Sequence, residues 1–390
     1  MIVTVTGTKG KTTVVSMINH SLSAIGSTTS AICTLGFYKG LERRTKKSLI
    51  KVYEDFLARE MHTDFQCIEA TSHLLRIGTI PEGIADVVVL TGVERGEHEE
   101  IHPLFKEYVA AKRKIYDIRK PGKNAIVCAD GLCFSELAQG VKNIITYGFK
   151  PGSDLEIKVK KQTDRHADVE FKLAGETVKI KSLILGKHNY LNLAASYLAL
   201  VEMGIESQAA AASLSTFSGA PGRFERYSVN SSDQEKTVII DYAHTPSSLK
   251  NTLTLIKELY PGKRVCTVFG CGGNKSVTKR PLMGREATIF SDVVIVTNDN
   301  PRGESPERIV DDILVGAVKA CIVETDREKA ISVSLEADCE VILLAGKGAE
   351  EQYSIGDKTY NNRSDKTLLQ RVCREKSLQL TEFNLEPGHI

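Results

Sequence analysis

The sequence has 390 residues, with 51 Lys and Arg against 49 Asp and Glu and a formal net charge of +2. That balance singles out neither nucleic acid nor a membrane surface as a partner, and no apolar run is long enough to span a bilayer. Hydrophobic residues at 42% and charged residues at 26% describe an ordinary globular chain, long enough for two or three domains with real cores.

Residues 2–5 (IVTV) have the β-branched composition of a buried strand. Gly7, Thr8, Lys9, Gly10, Lys11, Thr12 and Thr13 follow, and residues 14–24 then carry helical spacing. Strand, glycine loop, lysine and helix is the arrangement in which backbone N–H groups and a helix N-terminus cradle a polyphosphate. In such a loop Lys11 reaches the β- and γ-phosphates and the Thr12 hydroxyl sits on Mg2+. The strict P-loop pattern asks for glycine where Val5 stands, so this is a variant loop.

Further along, residues 65–70 (FQCIEA), 86–90 (DVVVL) and 124–128 (NAIVC) read as buried strands, and 52–61 and 104–118 as helices. The alternation predicts a mostly parallel sheet with helices on both faces. Between 155 and 185 the period changes to two, which predicts a small antiparallel sheet beside the main one. Helices are expected over 189–203 and 207–217, and Ala220, Pro221 and Gly222 mark a boundary. A second alternation follows, with strands at 237–240, 264–269, 292–296 and 340–344 and helices at 246–259, 281–289, 306–315 and 366–376. The fold class is therefore α/β: a P-loop-containing parallel-sheet ATPase domain over 1–222, then a smaller Rossmann-like domain over 223–390. Gly270, Cys271, Gly272 and Gly273 follow a strand but lack the dinucleotide fingerprint, so NAD is a weak reading there.

The nine cysteines, at 33, 67, 128, 133, 266, 271, 321, 339 and 373, form no CxxC pair. They read as reduced core thiols of a cytoplasmic protein. Because the second residue already belongs to a strand, no signal peptide is expected.

Glu69 ends a buried strand at the carboxyl edge of the sheet, where a carboxylate suits Mg2+. His98 and His102 formally match H-E-x-x-H, but Pro103 follows at once and the stretch is not set in an amphipathic helix, which argues against a zinc protease. Surface histidines without a role are the plainer alternative.

Several motifs in order resemble the Mur ligase family, its MurE branch above all, from the first strand almost to the last residues. TGTKGKTT resembles the family's ATP loop, and IEATSHLL resembles its EVSSHAL segment, which makes Glu69 a Mg2+ ligand. EHEEIHPLFKEYVAAK resembles its DHLDYHG…YAAAK stretch, implying His98 as ligand of a second metal ion and Lys112 as a carbamylated lysine. GKHNYLNLAA, APGRFE and DYAHTPSSL bring Asn189, Asn192, Arg223, Asp241 and His244 towards ATP. FGCGGNKSVTKRPLMG, TNDNPRGESPERIVDDI and LLAGKGAEE resemble the segments that read the amino acid, here Lys275, Asn300, Arg302, Gly348 and Glu350. From the residues alone, Lys112 reads as a helix-surface lysine and Arg302 as an exposed Pro-Arg turn.

The resemblance implies an ATP- and Mg2+-dependent, ADP-forming ligase. It would join an amino acid, diaminopimelate-like, to a carboxylate acceptor through an acyl phosphate, with domain closure because ATP contacts come from both halves. Three departures bear on the substrates. The chain opens on the ATP strand, so the UDP-binding N-terminal domain is expected to be missing, or replaced by a partner protein. Lys275 stands where the branch has Arg, and Ala349 where it has His; Lys lacks Arg's bidentate fork. The alternatives are the same core acting on poly-γ-glutamate, folate polyglutamate or a peptide metabolite, or a non-catalytic ATP-binding subunit.

Overall fold

The computed structural model describes residues 1–45, 53, 56, 62–95, 101–230, 234–356, 358–361 and 363–383. They form two compact units, one of Met1–Ala220 and one beginning at Pro221.

The first unit runs through β1 (Ile2–Thr6), α1 (Lys11–Ala24), β2 (Thr29–Cys33), β3 (Gly36–Lys39), β4 (Glu42–Thr45), β5 (Phe65–Glu69), α2 (Ser72–Ile77) and β6 (Val87–Leu90). It continues with α3 (Phe105–Arg113), α4 (Ile115–Ile118), β7 (Ala125–Cys128), α5 (Phe134–Ala138) and β8 (Ile144–Gly148). Last come β9 (Leu155–Gln162), β10 (Ala167–Leu173), β11 (Glu176–Ser182), α6 (Lys187–Glu202) and α7 (Ser207–Ser215). All these strands share one sheet, in the order β11-β10-β9-β8-β7-β6-β1-β5-β2-β3-β4. From β9 to β2 the pairing is parallel, and both flanks are antiparallel.

The glycine-loop strand is thus central. Val3 and Val5 are fully buried, as β-branched residues between two layers of helix should be; each stabilises the fold by about 1.5–3 kcal/mol relative to exposure. The period-2 segments do not make a separate sheet. They extend the main one through Tyr147↔Leu155 and Gly148↔Glu156, because β8, which the sequence pattern did not single out, offers its edge to β9. The helix expected over 104–118 breaks at Lys114 into two short helices, so that Tyr108, Val109, Ile115 and Ile118 all enter one core. The helix expected over 52–61 lies outside the described residues apart from Tyr53 and Phe56, which are buried.

The second unit runs through β12 (Glu225–Asn230), β13 (Glu235–Asp241), α8 (Pro246–Leu259), β14 (Val265–Phe269), α9 (Lys279–Phe290), β15 (Val293–Val296), α10 (Pro306–Leu314) and β16 (Ile322–Val323). It closes with α11 (Arg327–Glu336), β17 (Val341–Ala345), β18 (Tyr353–Ile355), β19 (Lys358–Tyr360), α12 (Asp365–Glu375) and β20 (Gln379–Glu382). Its main sheet has the order β16-β15-β14-β17-β13-β12-β20, parallel from β16 to β13 and antiparallel beyond. The start of α8 was legible because its chemistry is local. Thr245 accepts from Ser248 N–H, the Ser248 hydroxyl meets the Thr245 backbone, and Pro246 opens the first turn.

Candidate active site

In the first unit, the carboxyl ends of β1, β2, β5 and β6 bring the glycine loop, Thr34, Glu69 and Thr91 to one edge. Gly10 is left-handed, at φ 83°, and starts α1 with no side-chain cap. Its first N–H groups are therefore not occupied by a capping side chain, as an anion cradle requires. A Cβ at position 10 would fall 2.2 Å from Asn192 Oδ1, and one at position 7 would fall 1.9 Å from Thr91 Oγ1. Backbone conformation and packing both demand glycine there.

Three side chains of the predicted set converge next to this loop. Thr12 Oγ1 donates to Glu69 Oε2 at 2.9 Å, and Lys11 Nζ lies 3.9 Å from Glu69 Oε1 and donates to the Thr8 carbonyl at 3.0 Å. Glu69 is 1% exposed. A hydroxyl beside a buried carboxylate is a set of hard oxygen donors, so Thr12 and Glu69 fit Mg2+. Thr8 bonds Tyr108 OH at 3.0 Å and accepts from Glu94 N–H, Lys9 pairs with Glu94 at 2.6 Å, and Thr13 is buried in the first turn of α1. From α6, Asn192 rests on Gly10 and donates to Asn189 Oδ1 at 3.3 Å, while Asn189 donates to the Leu185 carbonyl at 2.9 Å.

Lys112 is not on the surface. It is 1% exposed, with Nζ donating to Thr6 Oγ1 at 3.1 Å and lying 5.4 Å from the centre of the Tyr108 ring. Burial drives its pKa well below the usual lysine value, the Lys11 charge pushes the same way, and Glu69 opposes both. His98 lies outside the described residues. His102 precedes α3 rather than sitting in it; it is buried, and its Nε2 has no hydrogen-bond partner among the described residues. A zinc-protease helix is therefore not what carries His102. Among the described residues, no group of three or more His, Cys, Asp or Glu side chains is placed to hold a metal ion.

In the second unit the residues singled out gather at the carboxyl ends of β13, β14, β15 and β17. Asn300 donates to Glu350 Oε2 at 3.2 Å and to Asp299 Oδ1 at 3.0 Å, and its Oδ1 accepts from Ser354 N–H at 3.0 Å. Arg302 is half-buried and left-handed, at φ 52°, and its NH1 is tied to the carbonyls of Gly273 and Asn300. A non-glycine residue at such φ stores about 1–3 kcal/mol, here opposed by backbone pairing with Ser354 and Ile355. Glu350 is exposed to solvent, yet the desolvation by the atoms packed around its carboxylate, together with Asp299, raises its pKa, against the Tyr242 hydroxyl, Lys347 and Arg302. Arg223 sits over the Tyr242 ring at 4.2 Å. Asp241 accepts from Phe224 N–H at 2.8 Å and from Thr252 Oγ1 at 3.2 Å, and His244 Nδ1 bonds the Tyr242 carbonyl at 2.8 Å. Gly348 touches Gly222, where added Cβ atoms would collide. Lys275 is exposed.

Residues 5–200 match the family described as "Mur ligase middle domain", and 222–348 match "Mur ligase, glutamate ligase domain". The chain belongs to the Mur ligase family.

This Mur ligase is 33% identical over 393 residues to the UDP-N-acetylmuramoyl-L-alanyl-D-glutamate--2,6-diaminopimelate ligase of Fusobacterium nucleatum, an alignment covering 97% of this chain and 78% of that one. A solved structure bearing the same ligase name aligns at 26% identity with a TM-score of 0.63, over 96% of this chain and 78% of that one. Folylpolyglutamate synthase from Thermotoga maritima aligns at 16% identity with a TM-score of 0.64, over 88% and 85%, a likeness of fold alone. Mur ligases are ATP- and Mg2+-dependent, ADP-forming enzymes that couple an amino acid to a carboxylate, and this chain is an enzyme of that kind. No described helix is long and apolar enough to cross a membrane.

Some of this Mur ligase's site residues carried no signal in the sequence. Thr34 bonds Thr12 Oγ1 at 2.8 Å and gives its N–H to Glu69 at 3.0 Å. Tyr53 donates to the Glu69 carbonyl, and Thr6 receives Lys112 while donating to the Ala70 carbonyl at 2.6 Å. Thr34 and Tyr53 are ordinary residues whose partners are distant in sequence, and Thr6, although it opens the marked TGTKGKTT stretch, has its partner Lys112 far along the chain. Tyr242 could have been found, since it stands between Asp241 and Ala243 in a motif already marked.

Proposed function

We propose that the chain adds diaminopimelate, or a closely similar diamino acid, to the free carboxylate of a UDP-N-acetylmuramoyl peptide during peptidoglycan synthesis. The observation that supports the ligase chemistry most directly is the meeting of Lys11, Thr12 and Glu69 beside an uncapped helix start. The substrate assignment rests on likeness to relatives that carry that ligase name over most of this chain.

In this reading, Gly7, Thr8, Lys9, Gly10 and Thr13 present the loop's backbone to the triphosphate. Lys11 neutralises charge on the transferred phosphoryl group, and Thr12 and Glu69 hold Mg2+. When bound, Mg2+ supplies Lewis-acid screening of the phosphates, so that an acceptor carboxylate can approach. Asn189 and Asn192 set the loop's shape on the nucleotide side, and Arg223, Asp241 and His244 are the residues that the family resemblance assigns to ATP. Lys112, whose ammonium is disfavoured by burial, adds to CO2 through its unprotonated amine. The Nζ–C bond forms as one proton leaves the nitrogen, and a carboxylate-like anion takes the place of the amine. Its oxygens, with His98, would hold a second metal ion. Asn300, Arg302, Gly348, Glu350 and the exposed Lys275 hold the amino acid, Arg302 facing its carboxylate and Glu350 its ammonium.

The test measures ADP release from purified protein given UDP-N-acetylmuramoyl-L-alanyl-D-glutamate, ATP, Mg2+ and diaminopimelate, each omitted in turn, with the product weighed by mass spectrometry. Release should need all four and should yield the conjugate. Release indifferent to acceptor and amino acid would defeat the reading in favour of a nucleotide-binding subunit; release with another acid–amine pair only would move the substrate.

A further inference from the structure

We propose that Tyr242 is a positioning residue that holds the Glu350 carboxylate for the incoming amino acid's ammonium and ties it to the nucleotide-side Arg223. This rests on the roles given above to Glu350 and Arg223, and it concerns the second unit alone.

The geometry is a chain of three contacts. The Tyr242 hydroxyl donates to Glu350 Oε1 at 2.9 Å, and Asn300 Nδ2 donates to Oε2 at 3.2 Å, so the carboxylate is held from both sides. Arg223 lies over the face of the same tyrosine ring, with its guanidinium carbon 4.2 Å from the ring centre. The backbones beneath these side chains also touch. A Cβ on Gly222 would meet Ala349 N at 2.1 Å, and one on Gly348 would meet Gly222 O at 2.7 Å and Tyr242 Cβ at 3.1 Å. A shift of the Arg223 segment is therefore transmitted to the Gly348–Glu350 turn by packed atoms rather than through solvent.

A phenol suits this task. Its hydroxyl gives one directed bond to a carboxylate while its face accepts a cation. The groups that face Glu350 are Tyr242 from the end of β13, Asp299, Asn300 and Arg302 from the loop after β15, and Lys347 from its own turn. Desolvation by the packed atoms around it and the charge of Asp299 work against the ionised carboxylate; the Tyr242 hydroxyl works for it. Losing that hydroxyl leaves Glu350 protonated to higher pH, and a protonated Glu350 gives up its ion pair with the ammonium.

The experiment compares wild type, Tyr242→Phe and Tyr242→Leu by ADP release, measuring KM for diaminopimelate and for ATP and the pH profile of kcat/KM for diaminopimelate. Tyr242→Phe keeps the ring under Arg223. It should raise the diaminopimelate KM roughly ten-fold, as expected for a hydrogen bond to a charged group, leave the ATP KM within about two-fold of wild type by the same reasoning, and move the acid limb to higher pH. Tyr242→Leu removes both contacts and should raise both KM values. Glu350→Gln, which cannot titrate, should lose the acid limb that moved. The proposal is overturned if Tyr242→Phe leaves the diaminopimelate KM and acid limb unchanged or raises both KM values equally, or if Glu350→Gln keeps the limb. A wild-type enzyme that does not need diaminopimelate at all would instead remove the functional reading, and this proposal with it.

Discussion

Replacing Lys112 by methionine separates what this residue does for the fold from what it does for the reaction. Its amino group is enclosed, with one hydroxyl at 3.1 Å and a ring face at 5.4 Å. Thr6 Oγ1 does not depend on it, because that hydroxyl also donates to the Ala70 carbonyl at 2.6 Å. The Lys112→Met variant would therefore give up one hydrogen bond, about 1 kcal/mol, and exchange a buried polar amine for an apolar side chain of similar length, which offsets a loss of about that size. The expected stability change is within about 1 kcal/mol of zero, a melting shift of a few degrees at most for a unit of this size. Activity should fall at least about 100-fold, since even outer-shell changes at metal sites cost 10–100-fold. Thermal unfolding and ADP release in bicarbonate-containing buffer read the two effects separately. A companion variant, Lys112→Ala, leaves space beside Thr6, and acetate or propionate should restore part of the activity by supplying carboxylate oxygens. Near-wild-type turnover in either variant without added acid would refute the carbamate, and a melting point lowered by more than about 10 °C in Lys112→Met would show that the ammonium is a structural strut.

Lys11→Ala should abolish ADP release while leaving the melting point close to wild type, because Lys11 is partly exposed and its pair with Glu69 is long, at 3.9 Å; retained activity would remove its phosphate role. Arg302→Ala should raise the diaminopimelate KM at least about ten-fold with ATP binding little changed, as measured by nucleotide titration; equal losses would count against amino-acid recognition. Asp86→Asn should cost about 1 kcal/mol at neutral pH by removing the 2.7 Å pair with Lys120. Although burial raises the Asp86 pKa, Lys120 and the Ile2 N–H bring it below the usual value on balance. Its stabilisation is therefore complete above the unfolded-state carboxylate pKa and fades as pH falls through the lower folded value. Denaturant melts of wild type and Asp86→Asn should accordingly converge in acid, and a gap that persists there would refute the assignment.

What could be read from the residues in order is what is encoded locally. The loop of Gly7 to Thr13 announces itself because glycine, lysine and hydroxyl must follow a strand at fixed spacing. The starts of α8 and α10 are marked by Thr245 and Ser305, each before proline, since a cap needs only its own next three residues. Those features, and the alternation of buried strands with helices, were present in the sequence itself. Lys112 was not, because in AAKRK it looks like a surface lysine, and only the closing of α3 over β1 takes it out of water. Nor did sequence spacing show that Thr34 would reach Thr12 and Glu69, that Arg302 would be held left-handed against Ser354, or that residues 155–182 would extend the main sheet. Each of those outcomes depends on which backbone edge or side chain arrives from far along the chain. Burial and hydrogen-bond partnership are properties of the packed whole, which is why the reactive groups were nameable in advance while their ionisation and neighbours were decided by the tertiary structure.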